Sequence, residues 1–93
     1  MEERICLYDR YIKDFRCKYY ITKSTKKFIN GDDLINCYGV KIDKFDGTGN
    51  LLSSAEVGDI GINETDVRGF IKILNDGGVT PITLNDIVTD MIV

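Results

Sequence analysis

Carboxylates and thiols are the side chains here that could do chemistry, because the 93-residue chain contains no histidine. Asp43, Asp46, Asp59 and Asp66 fall in or beside expected turns, and two of them meeting at one end of a sheet would make a hydrolytic pair or a magnesium site. Such a pair needs defined spacing and two separated pKa values. Aspartate also favours turn, bulge and cap positions for its local hydrogen bonds to backbone, and that is the role expected for these four. Cys6, Cys17 and Cys37 are odd in number and widely spaced, without a Cys-x-x-Cys pair, so the expectation is reduced, partly buried thiols rather than a disulfide framework or a zinc site. Reactive thiol chemistry would need a thiolate, and the usual activating imidazole is missing.

Lys44 to Glu56 has the outward look of a calcium loop, with Asp46, Thr48 and Asn50 alternating near a glycine. Placing Gly49 at the glycine position of such a loop puts Lys44 at the first ligand position and Ala55 at the twelfth, where oxygen donors are required. A glycine-rich hairpin is the better reading. No catalytic residue, cofactor or metal is therefore assigned.

Two binding surfaces are carried forward. Ile73, Met91 and Ile92 lie beside or at the end of the apolar stripes of the C-terminal helices and are candidates for contact with a protein partner or a second copy. Arg16, Lys18 and Tyr20 alternate on one strand face within a basic, tyrosine-rich N-terminal third, and form the alternative: phosphate contacts and base stacking on single-stranded nucleic acid. The net charge of −3 opposes that alternative. It conceals a segregation: residues 1–30 hold eight Lys or Arg and four Asp or Glu (net +4), whereas residues 31–93 hold four and eleven (net −7). Such halves are either self-complementary in three dimensions or set out on two faces.

The elements that position these residues follow from periodicity. A single domain spanning 1–93 is expected from the length, with a β-rich region over 1–62 and a two-helix region over 63–93. Ile5 to Tyr11 reads as an edge strand. Phe15 to Lys23 alternates, with Phe15, Cys17, Tyr19 and Ile21 on one face, and so does Leu34 to Phe45, with Tyr38, Val40 and Ile42. Asn30-Gly31 marks the turn between them, and Asp46 to Asn50 a second hairpin. Leu51 to Ile60 returns as a strand whose apolar phase shifts across Gly58, the mark of a bulge.

At Asn63 the period lengthens to that of a helix. Asn63 with Asp66 reads as a cap, Ile62 and Val67 as a hydrophobic staple, and Val67, Phe70, Ile71 and Leu74 as the buried stripe. Gly77 is the expected left-handed stop. Pro81 breaks the chain, and Thr83 with Asp86 is the expected second cap, ahead of Leu84, Ile87, Val88 and Met91. The fold class is thus α+β: a three- or four-stranded antiparallel, meander-like sheet with two C-terminal helices packed on one face.

Tyr19-Tyr20-Ile21-Thr22, Tyr38-Gly39-Val40-Lys41-Ile42 and the stretch from Val67 to Val88, with its Val79-Thr80-Pro81 turn and Leu84-Asn85-Asp86-Ile87, together cover most of the chain. In this order they resemble a small clostridial protein family catalogued only as a domain of unknown function. The resemblance implies a small cytoplasmic bacterial protein and brings no activity with it. The start of the chain lacks the apolar stretch of a signal peptide, and no run of apolar residues is long enough to span a membrane. The functional expectation is a noncatalytic protein-interaction or regulatory module in the cytoplasm.

Overall fold

The computed structural model describes the backbone of residues 3–27 and 34–92 and their side chains other than those of Lys27, Met91 and Ile92. The Asn30-Gly31 turn lies outside the described residues. Four strands, β1 (Glu3–Ile12), β2 (Phe15–Lys27), β3 (Leu34–Phe45) and β4 (Leu51–Gly61), form one antiparallel sheet in the order β1-β2-β3-β4, followed by α1 (Glu64–Asp76) and α2 (Pro81–Ile92). This is the expected α+β architecture. Among the described residues no helix is long and apolar enough to cross a membrane.

Alternation decides which face meets the helices. Tyr19 stands opposite Ile42 and Ile21 opposite Val40, so one face of the two central strands presents a continuous apolar centre. Val67, Ile71 and Leu74 of α1 and Leu84 and Val88 of α2 close over it, all buried. Each such side chain contributes about 1.5–3 kcal/mol when removed from water. The Tyr19 hydroxyl donates to the Val79 carbonyl at 2.8 Å, fastening the interhelical link to the middle of the sheet. Burial pushes its phenol pKa up to about 12, so the tyrosine remains a donor through the physiological range.

Helix ends follow local chemistry, with three departures from the sequence expectation. Asn63 caps α1, its side chain accepting from the Asp66 N–H, but Ile62 is exposed while Val67 turns into the sheet, so no staple closes. The left-handed residue after α1 is Gly78 (φ 64°), not Gly77 (φ −85°). Gly77 and Val79 donate their N–H groups to the Ile73 and Leu74 carbonyls, both at 3.0 Å, and Gly78 takes the positive φ that completes the stop. Pro81 opens α2 instead of merely separating the helices, because a fixed φ and a missing N–H cost nothing at a first helical position. Thr83 therefore lies inside the first turn, its N–H and hydroxyl both directed at the Thr80 carbonyl.

The two outer strands are interrupted. β1 joins β2 by a two-residue turn at Lys13 (φ 54°) and Asp14, and its register shifts between Cys6 and Tyr8. In β4 the register jumps from Val40↔Val57 to Tyr38↔Gly61, the bulge expected near Gly58. It carries Asp59 at φ 56° and lies directly over Gly39. A Cβ on Gly39 would press on the Val57 carbonyl and come within 2.7 Å of Gly58 Cα and 2.8 Å of Thr22 Oγ1. Gly39→Ala is expected to cost about 1–3 kcal/mol by this overpacking, measured by urea denaturation. Gly58→Ala, where a Cβ meets nothing within 4 Å, is expected to change stability by less than about 1 kcal/mol.

Candidate functional site

The helices cover one face of the sheet, and the other carries most of the polar side chains singled out in the sequence. Strand register arranges it in rows. At the end formed by the β1–β2 and β3–β4 turns, Tyr11, Arg16, Phe45 and Leu51 cross all four strands. Next come Asp9, Lys18, Asp43 and Ser54, then Cys6, Tyr20, Lys41 and Glu56, and finally Arg4, Thr22 and Gly39 beneath the β4 bulge. Arg16, Lys18 and Tyr20 therefore do share one surface, joined there by Lys41, Asp43 and Phe45 from β3.

Rings and cations interleave. Arg16 lies 5.8 Å from the Tyr11 ring centre, Lys18 5.5 Å from that of Phe45, and Lys41 5.8 Å from that of Tyr20, all within cation–π range. Carboxylates interleave as well. Both Asp9 oxygens accept from the Arg16 guanidinium, Nε at 2.7 Å, and this lowers the Asp9 pKa and raises that of Arg16. Asp43 Oδ1 accepts from the Ser54 hydroxyl at 2.6 Å while its Oδ2 lies 3.7 Å from Lys41 Nζ. Burial raises the Tyr20 phenol, assisted by Asp43, Cys6 and Asp9.

Thr22 is only 5% exposed and Asp43 only 7%, although no helix covers them. Their cover comes from the sheet itself. Arg4 on β1 and Glu56 on β4 form a two-point ion pair, Nε to Oε2 at 3.0 Å and the terminal nitrogen to Oε1 at 3.3 Å. β2 and β3 lie between those outer strands, and the two long side chains span them. Lys26 on β2 reaches over β3 to Asp59 at the tip of the bulge and holds it in the same direction. β4 comes down over Gly39 and makes this end of the face a trough, bridged by the two ion pairs, while the end at the turns lies away from that approach.

The helix-side candidates are placed differently. Ile73 is 69% exposed on α1, apart from the buried stripe. Met91 and Ile92 belong to α2 by backbone, and their side chains lie outside the described residues. A cleft of about 300 Å³ at the start of α1 is lined by Ile60, Ile62, Asn63, Asp66, Val67 and Phe70.

The remaining chemical candidates separate. Asp59 is held by Lys26, Asp66 lies at the start of α1, and Asp46 serves its own turn. No cluster of three or more His, Cys, Asp or Glu is suitably placed for a metal among the described residues. Cys6 and Cys17 both have raised pKa values, principally from burial. Sequence reasoning placed Arg4 and Tyr11 in the same basic, tyrosine-rich third but missed Glu56, Lys41, Asp43 and Phe45 as companions of Arg16, Lys18 and Tyr20. Alternation in β3 signals that Lys41 and Asp43 share a face; the strand register was the missing piece.

Asp46 Oδ1 accepts from the Thr48 N–H at 2.9 Å, the Thr48 hydroxyl at 2.7 Å and the Asn50 N–H at 2.9 Å. These donors, Thr48 first, hold its pKa down to about 2 against an ordinary 3.8. A depressed folded-state pKa stabilises fully above the unfolded value, and the contribution is lost as pH falls through the folded value. Between about pH 4 and pH 2, Asp46→Asn is therefore expected to show a shallower loss of stability than the parent chain, measured by thermal melts across that range.

Comparison with curated proteins and with solved structures gives no match. A family model described as "Family of unknown function (DUF6514)" matches residues 2–93. That match spans nearly the whole chain, which belongs to this family of unknown function.

Proposed function

We propose that this chain is a small noncatalytic recognition module of the bacterial cytoplasm that binds a protein partner through the open end of its trough. The observation that carries the reading is the outermost row, Tyr11, Arg16, Phe45 and Leu51, which sets aromatic, aliphatic and guanidinium surface side by side across the sheet. Tyr11 is 71% exposed. Tyrosine and arginine dominate the energetics of protein interfaces because each combines a large apolar body with directed hydrogen bonding. Interleaved acids and bases in the next row suit a partner with charges of both signs.

This reading moves the contact away from the sheet edges, since bulges and charged residues in β1 and β4 disfavour the addition of a further strand. It also favours the trough over the helices, where Ile73 is an exposed side chain apart from the buried stripe. Nucleic-acid binding through Arg16, Lys18 and Tyr20 is the second reading, supported by their shared face and by the rings of Tyr20 and Phe45. Against it, Arg16 lies beside Asp9 and Lys41 beside Asp43, so a phosphate backbone approaching these cations also meets carboxylates.

Affinity capture of the tagged chain from native cytosol after nuclease treatment tests the proposal. A specific protein is expected to be retained by the parent chain and by folded Ile73→Asp, and to be reduced at least about tenfold by Tyr11→Ala or Leu51→Asp, in line with loss of an interface hot spot. Loss of capture only with Ile73→Asp would move the contact to the helices. Binding to a single-stranded pool, weakening steeply with salt and lost in Lys18→Glu, would replace the protein reading with the nucleic-acid one.

A further inference from the structure

The two rows nearest the turns are self-complementary about one axis. Across the rows from Tyr11 to Glu56, Arg16, Lys18 and Lys41 balance Asp9, Asp43 and Glu56, so this face has no excess of either sign to draw a strongly charged partner. It has a pattern instead. A second copy turned over about an axis parallel to the strands, between β2 and β3, keeps each row in place and reverses its order. Tyr11 then faces Leu51 of the second copy, and Arg16 faces Phe45. In the next row Lys18 faces Asp43, and Asp9 faces Ser54. These are ring on aliphatic, guanidinium on ring, opposite charges, and hydroxyl to carboxylate. Each occurs twice, as an isologous interface requires. An axis running across the strands does the reverse. Placed on the second row it sets Lys18 over Lys18 and Asp43 over Asp43, and placed between the first two rows it sets Arg16 over Lys18. Like charges therefore select against those arrangements.

We propose that the protein partner at this end of the sheet is a second copy of the chain, docked face to face over the two rows nearest the turns. The inference rests on the recognition reading and names its partner. Tyr11 is 71% exposed and Leu51 56%, and within one copy they stand on the two outer strands with β2 and β3 between them. The second copy brings each against the other. Contact belongs to the turn end because β4 rises over Gly39 at the opposite end, and about this axis the raised β4 of one copy stands over β1 of the other rather than over its own counterpart. Two short rows make a patch at the small end of specific interfaces, so association is weak, with Kd about 10–100 μM.

The test is sedimentation of the purified full chain from about 1 to about 500 μM, a range that brackets the expected Kd. A reversible dimer is expected. Tyr11→Lys and Leu51→Asp, both at exposed positions, are each expected to weaken it at least about tenfold, with thermal melts confirming that both variants stay folded. An equimolar mixture of the two is expected to dimerise again, because the introduced lysine of one then faces the introduced aspartate of the other while the original pair survives on the opposite side of the axis. Isotope-filtered NMR of a mixed labelled and unlabelled sample should show contacts between the Tyr11 ring and the Leu51 methyls of different copies. A monomer throughout the range, or a dimer that both variants leave intact, would overturn the inference. A monomer that still captures another protein through Tyr11 overturns the second copy alone and leaves the recognition reading standing; a monomer whose capture is also indifferent to Tyr11→Ala removes both.

Discussion

The architecture depends on the missing side chain at Gly39. A sheet covered by helices on one side has a second face to dispose of, and here β4 folds partly across it. That approach is possible only because nothing stands on β3 where the Val57 carbonyl and Gly58 come down. The extra residues of the β4 bulge supply the slack, with Asp59 accepting a left-handed φ to make the bend. Once β4 is committed to this path, Glu56 is carried toward β1, Thr22 is sealed beneath it, and a face without a second layer acquires a buried floor.

That floor is polar, and its stability rests on pairing rather than on apolar area. Each charged group on it faces an opposite charge or a ring: Asp9 with Arg16, Asp43 with Ser54 and Lys41, Lys18 against Phe45. Individually such exposed or half-exposed pairs are worth about 0 to 1 kcal/mol, far less than the apolar residues under the helices. Their effect is to fix side-chain direction at low cost and to hold the strand register. The segregation of charge along the chain also resolves into complementarity. Arg4 with Glu56 and Lys26 with Asp59 join the basic N-terminal segment to the acidic remainder, and Arg10 donates to the Asn75 carbonyl in the last turn of α1, where the helix dipole is negative.

Most of the fold was legible in the sequence because its signals are local. Alternation in Phe15 to Lys23 and Leu34 to Phe45 identifies the central strands, the Asn63 cap and the stripe from Val67 to Leu74 identify α1, and the phase shift across Gly58 locates the bulge. The errors were local too: Gly77-Gly78 offers two glycines for one left-handed position, and Pro81 followed by Thr83 supports two different starts for α2. The trough was not legible for another reason. Alternation put Arg16, Lys18 and Tyr20 on one face, but their companions depend on register between strands, and the Arg4–Glu56 pair joins strands that have two others between them. Neither has a signature in residues adjacent along the chain.

The resolved proton affinities also bear on what such a face is for. Acid–base and nucleophilic chemistry call for groups poised near neutrality or activated toward it. Here the shifts run the other way. Asp9 and Asp46 are lowered, each by hydrogen bonds from donors that favour the carboxylate, and Cys6, Cys17, Tyr19 and Tyr20 are raised, each chiefly by burial. Every one of these groups is held more firmly in the form it already has at neutral pH. Of these groups, Asp9, Cys6 and Tyr20 lie on the open face, which therefore keeps one constant charge and two constant donors, while Cys17 and Tyr19 lie in the core under the helices and Asp46 in its own turn.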